Sequence, residues 1–261
     1  MKCLRSAGLA WLLLWALGLG GCATSTIFNS SKLAASTGPT TEQSDPWERF
    51  NRAVFGFNEA VDAALVKPLA ETYRAVVPRW LRKSVDNVFG NIGDVWSTAN
   101  LLLQFKPKAA LEMGMRVATN TVFGIGGILD VAEEVGLERR SEDFGQTLGV
   151  WGFSSGPYLV LPLLGPSTVR DASARLVDSK FGPESLAFRE ARDRYGAYTL
   201  EAVQTRVNLL NASRVLDEVA LDKYTFLRDA YLARRRSQIY DGEPPEDNPP
   251  AAPAAAASAT Q

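Results

Sequence analysis

Gly152-Phe153-Ser154-Ser155-Gly156 fits G-x-S-x-G, the pattern in which a serine hydrolase presents its nucleophile between a strand and a helix. Such a serine needs a base for its proton, ordinarily histidine. The 261 residues contain no histidine, Pro157 follows the motif directly, and no Ser-x-x-Lys stands at a helix start to form a dyad instead. The same absence removes imidazole zinc ligands, phosphohistidine chemistry and most general-base schemes. Gly124-Ile125-Gly126-Gly127 has Leu129 where a dinucleotide loop needs its third glycine, so these glycines read as close helix packing or a backbone hinge. Glu133-Glu134 and Glu142-Asp143 are adjacent carboxylates. Neighbours on a helix point about 100° apart, so neither pair makes a shared acid/base site and both read as solvated faces. Arg234-Arg235-Arg236 suits a helix C-terminus, with lipid phosphate or an acidic partner as the functional alternative.

One residue does carry a chemical expectation. Lys2 and Arg5 precede an apolar and Gly-rich run at 7–20, which is short and Gly-broken for a membrane span that needs about 20 apolar residues. The run ends in Leu19-Gly20-Gly21-Cys22, which resembles the bacterial lipobox, whose cysteine receives diacylglycerol and becomes the first residue of the mature chain. Cys22 is the expected lipid-attachment site, carrying S-diacylglycerol and an N-acyl chain, and residues 1–21 are the expected signal peptide. Ala23 in place of Asp implies outer-membrane sorting. Cys3 leaves with the signal, so no disulfide framework or Cys zinc site is expected.

The elements that must carry this anchor read as helices. Loss of Lys2 and Arg5 takes 28 basic residues to 26 against 29 acidic ones, about −3, which argues against nucleic acid as a partner. Residues 22–44 are Ser/Thr/Ala-rich without period and read as a flexible tether; 241–261 are Pro/Ala-rich and read as a disordered tail. With Asp45 as N-cap and Pro46 at the first helical position, Trp47, Phe50, Val54, Phe57, Val61 and Leu65 fall on one helix face. Breaks are expected at Lys67-Pro68 and Val77-Pro78, then a helical pattern to Pro107 and a further helix to about Asn120. A 3,4 repeat from Phe188 through Tyr195, Tyr198, Ala202, Thr205, Leu209, Ser213 and Leu216 to Ala220 predicts an intramolecular seam. A last helix is expected over 222–238. Two apolar segments, 122–132 and 156–171, are broken by Gly and Pro and must lie in protein or against lipid; the second suits a short hairpin or extended loop. The fold class is all-α, with one domain over 45–240.

Four stretches then carry a resemblance: "DPWERFNRAVFGFNEAVD" from Asp45, "TNTVFGIGGILDVA" from Thr119, "EDFGQTLGVWGFSSGPYLVLPLLGPSTVRD" from Glu142 and "RDAYLARRRSQIYDG" from Arg228. In this order they resemble the MlaA (VacJ) family of outer-membrane lipoproteins. The resemblance implies a ring-like assembly of amphipathic helices with a central channel, seated in the inner leaflet of the outer membrane and facing the periplasm. It implies that phospholipids strayed into the outer leaflet pass through it to a periplasmic carrier protein, with a porin trimer as partner and no enzymatic step. Carried over by position, Asn58 is a candidate gating residue, with helix packing as an equal alternative, and Gly124, Gly126 and Gly127 are candidates for a flexible turn beside the channel. Two other readings stand beside transport: a structural lipoprotein that scaffolds porins, motivated by the 188–220 seam and the arginine run, and an envelope lipase acting through Ser154.

Overall fold

The computed structural model describes residues 45–182, 185, 187–188 and 190–245. The expected signal peptide, Cys22, the tether and the tail from residue 246 lie outside the described residues.

The first apolar period forms α1, Glu48–Val61. Asp45 does not cap it as expected: the helix starts after Trp47, and the Asp45 carboxylate is buried, taking a 2.7 Å hydrogen bond from Asn51 Nδ2 and another from the Tyr224 hydroxyl. The expected break at Lys67-Pro68 is also absent. Pro68 has no N–H for the Ala64 carbonyl and its ring crowds that oxygen. The chain answers by widening into a π-turn, Asp62–Val66, where Lys67 N–H bonds back to the Asp62 carbonyl, and continues as α2, Lys67–Val76. Val77, extended before Pro78, does end α2.

Then come α3, Arg79–Leu103, and α4, Pro107–Val122, packed against each other. Two short helices follow, α5, Val131–Glu134, and α6, Phe144–Val150, N-capped by the side chains of Asp130 and Asp143. The Gly/Pro segment forms an antiparallel hairpin of β1, Tyr158–Leu161, and β2, Gly165–Thr168, with Tyr158 opposite Thr168 and Leu161 opposite Gly165. Pro162 sits in its turn, and Pro166 is tolerated because a two-stranded sheet is all edge. Thr168 caps α7, Val169–Phe181; α8, Ala191–Val219, and α9, Lys223–Ile239, complete the chain, the last capped by Asp222.

The packing closes on itself. α1 leads through the π-turn to α2, α2 packs on α8, α8 on α3, α3 on α6, α6 on α7, α7 on β1, and β1 on α1. The architecture is mostly helical, as expected, with the hairpin as its small sheet. α8 does pack inward, but its register differs from the expected seam: the buried positions are Ala197, Val203, Gln204, Val207 and Leu210, while Tyr195, Ala202, Thr205 and Leu209 face out.

Burial runs opposite to that of a water-soluble helical domain. Of the α1 residues only Asn51 is buried, and Phe50, Phe57 and Leu65 of its apolar stripe are exposed. α3 buries Asn87, Asn91, Asp94, Ser97 and Asn100, with Leu101 as its one buried apolar residue, and exposes Trp80, Leu81, Val95, Leu102 and Leu103. Much of the apolar surface of these helices therefore faces outward, while Leu101, Ala110 and Met113 pack between α3 and α4, and Val54 and Phe55 pack on Tyr158, Val160 and Tyr224. Among the described residues 20 polar or charged side chains are buried against 13 apolar ones. Segment 122–132 belongs to the outer surface through Val122, Phe123, Ile125 and Leu129, whereas the hairpin buries Tyr158 and Val160 and exposes Leu163 and Leu164. No described helix is long and apolar enough to cross a membrane.

Candidate functional site

A polar interior survives folding only if its groups are paired, and here arginines and amides do the pairing. Arg116 of α4, 2% exposed, bonds Asp94 of α3 at 3.0 Å and also reaches Asp130, the α5 cap. Arg139 Nε adds a 3.1 Å contact to Asp94, and Asn120 Nδ2 one of 2.9 Å to Asp130. Two guanidinium groups thus meet two carboxylates at the junction of α3, α4 and α5. Farther along α3, Thr147 Oγ1 donates to Asn100 Oδ1 at 2.8 Å and Gln104 Nε2 to Glu142 Oε2 at 2.9 Å. Glu142 is buried, among the described residues only that amide bonds its carboxylate, and burial pushes its pKa up. The solvated-face expectation fails for Glu142 and Asp143 and holds for Glu133 and Glu134, which are exposed.

The arginine run is also placed differently than expected. Arg235 is buried, clasps Asp143 through Nη1 and Nη2 at 2.6 and 2.9 Å, and reaches Asp171 of α7 through Nε at 3.0 Å. Asp171 further accepts from Arg170 at 2.9 Å and the Tyr231 hydroxyl at 2.8 Å. Burial alone would raise both carboxyls, but the Arg235 hydrogen bonds and charge hold Asp143 and Asp171 below the usual carboxylate range. One arginine so ties α9 to α6 and α7, and the run is not merely a solvated helix end.

Between α3, α8 and the 139–142 segment lies a cavity of about 300 Å³, lined among others by Asp86, Gly93, Asp94, Arg139, Glu142 and Gln204. Asn58 lies elsewhere in the circuit: its Nδ2 donates to the Leu161 carbonyl at 3.0 Å and its Oδ1 accepts from Leu163 N–H at 2.8 Å, pinning the hairpin turn. Asn51, one heptad earlier, does the same to Tyr158 O at 3.1 Å and Val160 N–H at 2.9 Å. The glycines form the turn after α4. Gly126 and Gly127 have φ of +70° and +94°, and a Cβ on Gly127 would lie 2.8 Å from Asn91 Cβ, so the turn sits hard against α3. Asn87 Nδ2 secures it through the Ile128 carbonyl at 3.0 Å. Ser154 is exposed in the loop from α6 to β1, a helix-to-strand order that reverses the nucleophile elbow. No group of three or more His, Cys, Asp or Glu among the described residues is placed to hold a metal ion.

A family model described as MlaA lipoprotein matches residues 43–238. The chain belongs to the MlaA lipoprotein family. It is 35% identical over 212 residues to the intermembrane phospholipid transport system lipoprotein MlaA of Escherichia coli (strain K12), covering 79% of this chain and 83% of that one. Likeness to the lipoprotein of the same name from Haemophilus influenzae is 30% over 244 residues, 88% and 90% of the two chains. A solved chain from work on the structural basis for maintenance of bacterial outer membrane lipid asymmetry matches with a TM-score of 0.67 and 32% identity, covering 75% of this chain and 99% of that one.

Within this MlaA-family fold, the residues missed from sequence are those that organise the interior. Asn51 could have been found from its seven-residue spacing to Asn58 on the polar side of α1. Arg116 and Arg235 had no such signal, because their partners lie on other elements.

Proposed function

We propose that the chain is an outer-membrane lipoprotein that removes phospholipids mislocalised to the outer leaflet and passes them to a periplasmic carrier, maintaining lipid asymmetry by transport and without bond chemistry. The observation that carries this reading is the reversed burial: a closed helical circuit with apolar side chains outside and paired polar groups inside. An apolar exterior suits acyl chains, a polar interior suits a headgroup, and no described helix need cross the bilayer. Relatives named for intermembrane phospholipid transport point the same way.

In this reading Cys22 bears the diacylglycerol and N-acyl chains that hold the protein in the inner leaflet of the outer membrane, and residues 23–44 tether the helical body to them. A porin trimer is the integral partner beside it. Asn58, through its grip on Leu161 and Leu163, sets the hairpin position on which lipid passage depends, and Gly124, Gly126 and Gly127 let the turn after α4 lie against α3. The scaffold alternative loses one of its motives at Arg235, which is committed internally to Asp143 and Asp171. Deleting the gene in its host should raise outer-leaflet phospholipid and sensitivity to detergent with EDTA, with rescue by the intact chain and not by Cys22→Ala. Normal surface lipid in a deletion strain without a second pathway would overturn the reading.

A further inference from the structure

The corner between α2 and α3 carries charge that nothing in the fold answers. Residues 74–83 hold Arg74, Arg79, Arg82 and Lys83 and no carboxylate, in a chain whose net charge is −1. Arg79 and Lys83 are exposed, and Arg74 and Arg82 are half-buried. Arg82 Nε donates to the Val77 carbonyl at 3.2 Å, and among the described residues none of the four has a carboxylate within 4 Å. Asp86, about one turn farther along α3, takes its hydrogen bonds from Gln204 and Asn208 instead. Helix stability does not account for the cluster: α3 begins at Arg79 with no acidic residue in its first turn, and cations at a helix start oppose the dipole. Solubility does not account for it either, because Val76 is 75% and Trp80 70% exposed among the cations, with Leu81 exposed beside them. These apolar side chains continue an outward face. Leu65, Leu69 and Val76 are spaced to share one side of a helix, and all three are exposed from the π-turn along α2 to this corner.

We infer that the α2–α3 corner is a headgroup-level anchor whose cations meet the phosphates of an anionic phospholipid surface, so that the helical body docks more tightly as the leaflet becomes more anionic. The inference rests on the membrane seating of the transport reading and adds the lipid charge that this seating calls for. Arginine and lysine lay their stems along apolar surface while their charged ends reach phosphate, and tryptophan sets an apolar ring with one N–H at the same level. The face from Leu65 to Val76 supplies the acyl-chain side of that boundary. An acidic protein matches the charge alone, whereas an anionic bilayer meets the charge and the apolar face together.

The test is cosedimentation of the full chain, carrying Cys22→Ala, with vesicles of phosphatidylcholine alone and of phosphatidylcholine with one quarter phosphatidylglycerol. Binding to the anionic vesicles should exceed binding to the neutral ones about thirtyfold at about 0.1 M salt, the scale of two surface cations. The ratio should fall to near one at about 1 M salt, where the screening length shrinks from about 10 to about 3 Å. Arg79→Gln with Lys83→Gln should lower the ratio at least about tenfold. Arg192→Gln with Arg234→Gln, an equal loss of charge at exposed positions elsewhere, should keep it. Trp80→Gln should weaken binding to both kinds of vesicle about tenfold. Circular dichroism checks that each variant keeps its helices, and if the Arg79 and Lys83 double variant unfolds, Lys83→Gln alone decides with about a fivefold loss. A wild-type ratio near one, or one that the double variant leaves intact or the control lowers equally, overturns the anchor; so does binding indifferent to Trp80→Gln. Retention on immobilised polyglutamate without any vesicle preference would assign the corner to an acidic protein and overturn the lipid assignment. Each of these results leaves the transport reading standing, since that reading is decided by surface lipid in the deletion strain.

Discussion

Arg235 stands in a run of three arginines, yet its guanidinium is spent inside the protein on Asp143 and Asp171. Removing one partner of a buried pair strands the other, at a cost of about 3 kcal/mol. Arg235→Gln should lower the unfolding free energy at pH 7 by about that much. The pH dependence separates this from a general loss of packing. In the wild type the two aspartates titrate below their unfolded value of about 3.9, so their contribution is present above that pH and lost as pH falls through the folded values. In Arg235→Gln the buried Asp171 loses a donor and takes its proton more readily, so the gap between variant and wild type should narrow from pH 7 to pH 4. Denaturant titrations at both pH values check it, and a gap of constant size would refute the assignment. Asn51 offers a second residue-scale expectation: its amide satisfies Asp45, the Tyr158 carbonyl and the Val160 N–H, all buried. Asn51→Leu should therefore cost about 3 kcal/mol even though it adds apolar surface to the interior.

At the scale of elements, the turn after α4 and the hairpin are held by different means, and substitutions should tell them apart. Gly126 needs only its left-handed backbone, with open space around it, whereas Gly127 has both a left-handed backbone and Asn91 at contact distance. Gly126→Ala should cost about 1 kcal/mol and Gly127→Ala distinctly more, read as the shift in thermal unfolding midpoint. Asn58→Ala should leave stability nearly unchanged and speed hydrogen exchange at the Leu163 amide, whose acceptor it removes. Such turns were legible in the sequence because glycine and proline act locally, as were the helix positions, which follow from a 3.6-residue period. Which face looks inward was not. Asn87, Asn91, Asp94, Ser97 and Asn100 recur with the same period as the apolar residues between them, and periodicity reports a stripe without naming the solvent it meets. The α8 register and the Arg235 clasp were hidden for another reason: both are settled by partners far away in the chain, such as Asp171, 64 positions before Arg235.

For the whole molecule the reversed burial sets a physical requirement that water cannot meet. Phe50, Phe57 and Leu65 lie along one outward stripe of α1 and the π-turn, all more than half exposed. Fully burying such a side chain is worth roughly 2 kcal/mol, so half-burial of three against acyl chains contributes about 3 kcal/mol to membrane partitioning. Phe50→Glu, Phe57→Glu and Leu65→Glu together should weaken binding to phospholipid vesicles by at least about a hundredfold, since 3 kcal/mol alone corresponds to two decades and charge adds to it. The measurement is vesicle cosedimentation of the full chain with Cys22→Ala, so that the acyl anchor proposed at Cys22 cannot mask the contribution of the protein surface. The same triple change touches none of the interior ion pairs, and helix content should be retained. Undiminished cosedimentation would mean that the α1 stripe faces a protein partner and not lipid. In that case the outer surface would serve assembly, and the closed circuit would have to hold its place in the membrane through a neighbouring chain.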